Sequence, residues 1–164
     1  MKILSKYKKK VIMLGDPAVG KTSLVRRYVY DEFSDDYITT FGTKPVKKVV
    51  DLEEHTVDLI IWDIAGHITE SLFSRYFSGA SGAVIVCDMT RKKTLDSVEK
   101  WYSRVVNNEG EIPVKLLLNK YDLDEWDYDR NEVDYPKMNP SVTSAKTGNN
   151  VEESFKSLAK DIIS

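Results

Sequence analysis

The chain has 164 residues, of which 41% are hydrophobic and 30% are charged, and its formal net charge at pH 7 is −2. This length suits a single domain with a substantial core, and the composition is that of an ordinary globular protein. The slightly acidic balance argues against a dedicated nucleic-acid binder, which would carry a basic excess. No run of 18 apolar residues is present, so the sequence predicts no membrane-spanning helix.

The first ten residues contain five lysines and lack the apolar stretch of a secretory signal. We expect residues 1–9 to be a solvated lead-in to the first strand, and contact of these lysines with acidic lipids is the alternative. The single cysteine, Cys87, cannot form an internal disulfide, and its apolar neighbours favour a small buried side chain. These features predict a cytoplasmic protein, with peripheral contact to membranes left open.

The first apolar run, residues 11–14, is followed by a segment with the spacing G-x-x-x-x-G-K-[ST]. The segment consists of Gly15, Asp16, Pro17, Ala18, Val19, Gly20, Lys21 and Thr22. In such a loop the backbone N–H groups surround phosphate oxygens, Lys21 adds positive charge near the terminal phosphates, and the Thr22 hydroxyl is placed to coordinate Mg²⁺. Residues 23–29 are predicted to form a helix. The alternative is a turn that happens to be flanked by glycines.

Further short apolar runs are typical of parallel strands that are buried on both faces. They cover residues 57–62, 83–87 and 114–118, whereas the more polar residues 46–52 are predicted to form an edge strand. Apolar residues at helical spacing predict helices around residues 95–105 and 151–162. Asn150 is expected to cap the second helix, with Glu153 three residues on. Alternating strands and helices predict a doubly wound α/β sheet that binds ligands at the carboxyl ends of its strands.

Three short motifs fall where predicted strands end. Asp63 follows residues 57–62 and is placed to hold Mg²⁺, while Gly66 can offer its N–H to a γ-phosphate. Each motif is weak by itself, because the default interpretation is a loop with a turn or a helix cap. Their joint occurrence with the phosphate loop is the informative observation.

The second of these motifs follows residues 114–118 and favours guanine over adenine. The carboxylate of Asp122 can accept from both the N1–H and the amino group of guanine, a pair of donors that adenine does not offer. Lys120 can lie along the purine face, and Asn119 can join neighbouring loops. The third motif, residues 144–146, could present a backbone N–H to guanine O6; it consists of Ser144, Ala145 and Lys146.

With these motifs in this order, the chain resembles a small GTPase of the Ras superfamily over nearly its whole length, nearest to the Rab-like and Rho-like branches. The resemblance implies one G domain over residues 1–164, with a mostly parallel six-stranded sheet, one antiparallel edge strand and five helices. It implies a first switch in which Phe33 packs against guanine, Tyr37 covers the phosphates and Thr40 coordinates Mg²⁺. It also implies a second switch that begins at Trp62 and Asp63.

The resemblance further assigns the nucleotide contacts and the partners. The nucleotide would be held by Pro17, Ala18, Val19, Gly20, Lys21, Thr22, Ser23, Phe33, Tyr37, Thr40, Gly66, Asn119, Lys120, Asp122, Ser144, Ala145 and Lys146. The metal ligands would be Thr22, Thr40 and Asp63, and the catalytic residues His67 and Lys21. Implied cofactors and partners are Mg²⁺, GTP or GDP, and effectors, an exchange factor and an activating protein at the switches.

The chain departs from the family pattern at His67, where most Ras-like members carry a glutamine that orients the attacking water. A neutral imidazole has its donor and acceptor on opposite sides of a rigid ring, so it cannot contact water and phosphate in the same way. We therefore expect slow unassisted hydrolysis and a partner that positions His67. The alternative is an exposed switch residue of little effect.

Proline at position 17 is a second departure, because Ras members have glycine there and many Rabs have serine. Proline fixes φ and adds bulk beside the γ-phosphate. An arginine from an activating protein accelerates this chemistry by roughly 10³- to 10⁵-fold, and bulk at Pro17 could obstruct its approach. Arg75 or another internal residue could contribute instead.

Two further departures concern the end of the chain and an acidic stretch. The chain stops at Ser164 without the prenylated tail cysteines of Ras and Rab proteins, so either a tail has been removed or this end carries no lipid anchor. Residues 124–136 hold six acidic side chains against one arginine, which predicts a short or missing helix whose loop is packed down by Trp126, Tyr128 and Tyr135. A solvated acidic loop is favoured over a partner-binding surface.

The sequence therefore predicts a guanine-nucleotide switch that hydrolyses GTP slowly by itself. A GTP-binding adaptor with negligible hydrolysis is the first alternative. The second is a P-loop ATPase or kinase, against which Asp122 and residues 144–146 argue.

Overall fold

A computed structural model describes residues 5–35, 44–64 and 70–164. Strands and helices alternate along these ranges, as the pattern of apolar runs predicts. In chain order the elements are β1 (Ser5–Leu14), α1 (Lys21–Tyr30), β2 (Pro45–Asp51), β3 (His55–Asp63), α2 (Glu70–Phe77), β4 (Gly82–Asp88), α3 (Lys92–Asp96), α4 (Val98–Glu109), β5 (Val114–Asn119), β6 (Ser141–Val142) and α5 (Val151–Ile163). Short 3₁₀ turns occupy Arg130–Glu132 and Pro136–Met138.

The strands form a six-stranded sheet in the order β2-β3-β1-β4-β5-β6 within the described ranges. β2 runs antiparallel to β3 at one edge, and the other neighbours are parallel. Both the doubly wound sheet and its antiparallel edge strand confirm the predicted fold class. Because the parallel strands end at the same edge, the loops after β1, β3, β4, β5 and β6 lie close together there.

Helices cover both faces of the sheet, because successive strand residues point to opposite sides. In β1, Val11 and Met13 pack into a cluster with residues from α1 and α5, where Tyr28 stacks on Phe155 with ring centroids 4.2 Å apart. Ile12 belongs to the opposite cluster, which includes residues of α2 and α4. Cys87 lies in this second cluster, and burial raises the pKa of its thiol, so the predicted inert buried side chain is confirmed.

Two predicted boundaries are wrong. β1 begins at Ser5 rather than at residue 11, and residues 5–10 pair with β3 although they are rich in lysine. The sequence does not reveal this half of the strand because Lys6 and Lys8 are exposed, so it lacks the apolar run of a strand that is buried on both faces. The helix predicted around residues 95–105 is divided at Ser97 into α3 and α4.

The predicted cap of α5 is also wrong in its chemistry. Asn150 occupies the N-cap position, but its backbone is left-handed with φ 58° and its side chain makes no cap hydrogen bond. Instead, its Nδ2 donates to Val142 O at 3.0 Å, so the amide ties the helix to β6. The side chain thus uses its amide N–H as a donor to a neighbouring strand, and its oxygen caps no helix N–H.

The acidic stretch forms turns rather than an α-helix, as predicted. Tyr128 is buried and Tyr135 packs against the core, but Trp126 is 43% exposed and stacks on Tyr121 with ring centroids 4.8 Å apart. Trp126 therefore does not pack the loop down, and the prediction for that residue is wrong. A backbone hydrogen bond of 2.7 Å from Asp127 N to Met89 O holds the loop instead.

Candidate functional site

The loop between β1 and α1 can adopt its shape only with glycine at two positions. Gly15 has φ 145°, and a Cβ there would lie 2.4 Å from Val86 O. Gly20 has φ 102°, and a Cβ there would lie 2.4 Å from Asn119 Nδ2. Both contacts are far below van der Waals distance, so the backbone of β4 and the side chain of Asn119 lie directly against the loop backbone.

The ammonium group of Lys21 lies inside this loop. The residue is only 8% exposed, and its Nζ donates to Gly15 O at 2.9 Å and to Asp16 O at 3.0 Å. Burial lowers the pKa of Lys21 to about 8, although the nearby carboxylates of Asp63 and Asp16 oppose this shift. A buried cation of this kind is poised to gain strongly from an anion that enters the loop.

Two oxygen-bearing side chains meet at the start of α1. The Thr22 hydroxyl donates to Asp63 Oδ2 at 2.5 Å, which brings the end of β3 against the loop after β1. Hydroxyl and carboxylate oxygens are the ligands that Mg²⁺ prefers. Within the described ranges no three His, Cys, Asp or Glu side chains gather into a metal-binding cluster. A metal ion at Thr22 and Asp63 would therefore depend on further oxygen ligands such as phosphate.

The carboxylate of Asp16 points away from the centre of the phosphate loop. Its Oδ2 accepts from Ser97 Oγ at 2.7 Å, and its Oδ1 accepts from Trp101 Nε1 at 3.1 Å. Trp101 in turn packs against Phe73 of α2 with ring centroids 5.9 Å apart. The carboxylate of an anion-binding loop is thus held by hydrogen bonds from Ser97 at the α3–α4 junction and from Trp101 of α4, which also fix the loop.

A buried acid at the end of β4 supports the same loop from another side. Asp88 is 1% exposed, and its Oδ2 pairs with Lys120 Nζ at 2.9 Å and with Arg91 Nε at 3.0 Å. Burial alone would raise the pKa of Asp88, but hydrogen bonds from Lys120, Thr90 and Arg91 lower it below its usual value. Lys120 also donates to Ala18 O, and Arg91 to Pro17 O, each at 3.0 Å.

Asn119 joins the loop after β1 to the loop after β6. Its buried Nδ2 donates to Val19 O at 3.0 Å, and its Oδ1 accepts from Thr143 Oγ1 at 3.1 Å. Both ends of the amide are therefore used, over sequence separations of 100 and 24 residues. A buried amide with both ends paired is expensive to replace.

A carboxylate and a loop of backbone groups meet beside Asn119. Asp122 Oδ1 accepts from Ser144 Oγ at 2.7 Å, and Ser144 Oγ accepts from Thr147 N at 3.0 Å. Arg27 of α1 reaches the same loop and donates to the carbonyl oxygens of Ala145 and Lys146. The structure thus brings the second and third motifs together at one edge of the sheet.

Most of the predicted site residues in the described ranges gather at this edge. The structure brings together the loop residues 17–22, Asp63, residues 119–122 and residues 144–146. Phe33 is 37% exposed after α1, and Ser23 lies in the first turn of α1, directly after Thr22. Tyr37, Thr40, Gly66 and His67 lie outside the described residues.

Sequence reasoning missed the supporting side chains of Arg27, Asp88, Arg91 and Ser97, and it gave Asp16 no role of its own. Asp88 carried a usable signal, because it ends an apolar strand just as Asp63 does. The others carried none, since a polar side chain outside a recognised motif is predicted to be solvent-exposed until its tertiary partner is known.

The fold and the site together define a doubly wound nucleotide-binding domain whose glycine loop, buried lysine and acid-bearing strand ends converge. Residues 10–164 match the family model described as the Ras family. Rab-13 of Bos taurus is 33% identical over 161 residues, covering 94% of this chain and 79% of the relative. Rab-32B of Dictyostelium discoideum is 38% identical over 172 residues, covering 98% and 66%. GTP-binding protein YPT1 of Saccharomyces cerevisiae is 34% identical over 163 residues, covering 95% and 79%.

The chain therefore belongs to the Ras family of small GTPases, on its Rab-like branch. It is a nucleotide-dependent switch that binds GTP and GDP and hydrolyses GTP. Neither the adaptor without hydrolysis nor the ATPase or kinase alternative is favoured by this membership. In the part of the chain that the structure describes, every helix is too short or too polar to cross a bilayer.

Proposed function

We propose that this GTPase works with Mg²⁺, hydrolyses GTP slowly by itself and depends on a partner protein for rapid turnover. The buried ammonium of Lys21 is the observation that supports the phosphate site most strongly. Its Nζ lies 2.9 and 3.0 Å from two carbonyl oxygens of a loop whose glycines bring the backbone inward. A cation inside such a turn, with the helix α1 starting behind it, suits the oxygens of a phosphate chain.

Thr22 and Asp63 fit a magnesium ion, since both offer hard oxygen atoms at one point of the site. They would hold the ion together with Thr40 and phosphate oxygens. When bound, Mg²⁺ supplies positive charge beside the β- and γ-phosphates.

The proposed chemical step is in-line attack of water on the γ-phosphate. Lys21 and the N–H groups of residues 18–23 stabilise the negative charge that develops, so catalysis consists mainly of positioning and electrostatics. Gly66 would donate its N–H to the γ-phosphate, and His67 would orient the water. Because the two nitrogens of an imidazole point in different directions, we expect His67 to do this poorly until a partner fixes the ring.

Base selection is assigned to the loops after β5 and β6. Asp122 would accept from the N1–H and amino group of guanine, and the backbone of residues 144–146 would donate to O6. Lys120 would lie along the purine face, and Phe33 would pack edge-on against guanine. The hydrogen bond between Ser144 and Asp122 supports a common surface for the two loops.

The switching role requires segments that change with the γ-phosphate. Thr40 and Gly66 would hold the two switches while that phosphate remains and release them after cleavage. Effectors, an exchange factor and an activating protein would bind there. Like the Rab proteins it resembles, the protein would act in vesicle trafficking, as a cytoplasmic protein with peripheral membrane contact and no nucleic-acid partner.

Phosphate release from GTP by the native protein and by His67→Gln tests the catalytic part of this proposal. We expect slow release from the native protein and faster release from the variant, because glutamine carries an acceptor and a donor on one flexible arm. His55→Gln is the matched control, since the other histidine of the chain lies at the start of β3, at the opposite end of that strand from Asp63. A clear loss of activity in His67→Gln would show that the native histidine is a competent catalytic residue. It would overturn the expectation that the variant releases phosphate faster than the native protein.

A further inference from the structure

One guanidinium group holds two consecutive carbonyls of the loop after β6. Arg27 lies in α1, and its Nε donates to Ala145 O at 2.8 Å while its Nη2 donates to Lys146 O at 2.6 Å. These carbonyls are 118 and 119 residues away in the sequence. Such a two-pronged contact uses the rigid fork of arginine, which lysine does not have.

These two bonds fix the direction of the backbone N–H groups of the loop. The carbonyl and the N–H of a trans peptide point to opposite sides, and no cis peptide occurs in the described residues. With Ala145 O directed at Arg27, the N–H of Lys146 faces away from α1. The preceding carbonyl, Ser144 O, is taken by Gly148 N at 2.8 Å, so the N–H of Ala145 faces away from Gly148.

The same loop is tied to the acid that we assign to guanine. Ser144 Oγ donates to Asp122 Oδ1 at 2.7 Å, and Ser144 is only 1% exposed. One side of the loop is thus fixed to Asp122 and the other to Arg27. No part of Arg27 needs to touch the base for this arrangement to set where the loop N–H groups point.

We propose that Arg27 is a positioning residue for guanine recognition: it orients the 145–146 backbone so that its N–H groups meet the O6 acceptor of the base. This inference rests on the proposed base site. The competing explanation is that Arg27 only fastens α1 to the loop before α5 and affects the stability of the whole domain.

The surroundings of Arg27 offer matched controls. Arg26 is its neighbour in α1, carries the same charge and is exposed. Asp31 pairs with Arg27 Nη1 at 2.8 Å, but its side chain is 88% exposed, so this ion pair contributes little. Arg26→Met and Asp31→Asn therefore change the charge near Arg27 while leaving its two carbonyl contacts in place.

The test compares dissociation constants for GDP, 6-thio-GDP and IDP in Arg27→Met, Arg26→Met and the native protein. The 6-thio analogue replaces O6 by sulfur, a weak acceptor, whereas inosine keeps O6 and lacks the amino group read by Asp122. In Arg27→Met we expect the preference for GDP over 6-thio-GDP to shrink by about tenfold and the GDP-to-IDP ratio to stay native. Arg26→Met and Asp31→Asn should keep both native ratios.

Equal weakening of GDP and 6-thio-GDP by Arg27→Met would overturn the inference, because a purely structural role lowers both affinities together. Arg27→Lys serves if the methionine variant does not fold. It keeps the charge but reaches only one carbonyl, so the GDP preference should shrink in it too; a fully native ratio would also refute the inference. ADP binding distinguishes a failure of this inference from a failure of the proposed base site. If the native protein binds ADP as tightly as GDP, the proposed base site itself is wrong.

Discussion

The phosphate loop is residues 15–22, and the base loops are the loops after β5 and β6 that we assign to guanine. The two regions differ in how far apart in the sequence their parts lie. The phosphate loop is one segment of eight residues, and its shape depends on Gly15 and Gly20. The base loops are brought together by contacts of Asn119 with Thr143 and of Asp122 with Ser144, over separations of 24 and 22 residues. Arg27 then reaches across from α1.

This difference teaches that the phosphate-binding residues come from one short segment, whereas the preference for guanine depends on loops that only the tertiary fold brings together. The phosphate loop carries its glycines and its lysine in one segment, although hydrogen bonds from Ser97, Asn119 and Lys120 support its shape. An assembled surface is sensitive to side chains that never contact the ligand. Asn119 belongs to both regions, because its amide contacts Val19 O in the phosphate loop and Thr143 beside the base loop.

The largest expected effect comes from Asp122→Asn. An amide at this position offers a donor where the carboxylate accepted, so the preference should shift from guanine toward xanthine by roughly 10³-fold or more. Competition between GDP and xanthosine diphosphate measures the shift. Asp124→Asn, at an exposed acid of the same stretch, should leave the preference intact. An unchanged preference for guanine in Asp122→Asn would remove the base site from these loops.

Lys21→Met should give the next largest effect, a loss of nucleotide affinity that is the same for every base. Loss of the buried cation removes a charge-assisted contact to phosphate worth about 3 kcal/mol, which corresponds to roughly 100-fold weaker binding. GDP and IDP should weaken by the same factor, with Lys93→Met as the exposed control. A change in the ratio of the GDP and IDP dissociation constants would show that the phosphate loop and the base loops do not act independently.

Asp16→Ala tests whether the phosphate loop needs its outside support. The substitution leaves the Trp101 N–H without its acceptor, while the Ser97 hydroxyl keeps Lys93 O at 3.1 Å, so we expect the free energy of unfolding to fall by about 1–3 kcal/mol. Nucleotide affinity should fall about tenfold for every base alike. Urea unfolding and GDP dissociation measure the two effects, and Asp96→Ala, an exposed acid of α3, is the control. Native stability in Asp16→Ala would mean that the loop holds its shape unaided.

The smallest effect is a dependence on pH that arises from Lys21. Its pKa is about 8 in the nucleotide-free protein, and a bound phosphate would raise it, so binding takes up a proton above pH 8. Nucleotide affinity should therefore fall about threefold from pH 7.5 to pH 8.5. Titration calorimetry in two buffers measures the proton uptake. Lys21→Arg stays charged and should lose the dependence; if it keeps the full dependence, another group is responsible.

The sequence was sufficient for the sheet, for the loop and for the strand-end motifs because each leaves a local pattern. Runs of β-branched and aliphatic residues mark strands that are buried on both faces, and the glycine spacing marks the phosphate loop. The first half of β1 was not predictable, since its lysines are compatible with a strand only because β3 pairs beside it.

The supporting contacts could not be predicted for a different reason. Asn150 looked like a helix cap, but Val142 O lies within reach of its side chain and takes the donor instead. Arg27 and Ser97 look like ordinary helix-surface residues, and their partners are 118 and 81 residues away. Only the folded chain decides which polar side chain meets which acceptor.

The most direct test of the account is phosphate release from GTP and from ATP by the native protein, measured side by side with Mg²⁺ at equal concentrations. Slow release from GTP with none above background from ATP is the predicted result, because the phosphate loop accepts either nucleotide while the base loops admit only guanine. Comparable release from both nucleotides would contradict it.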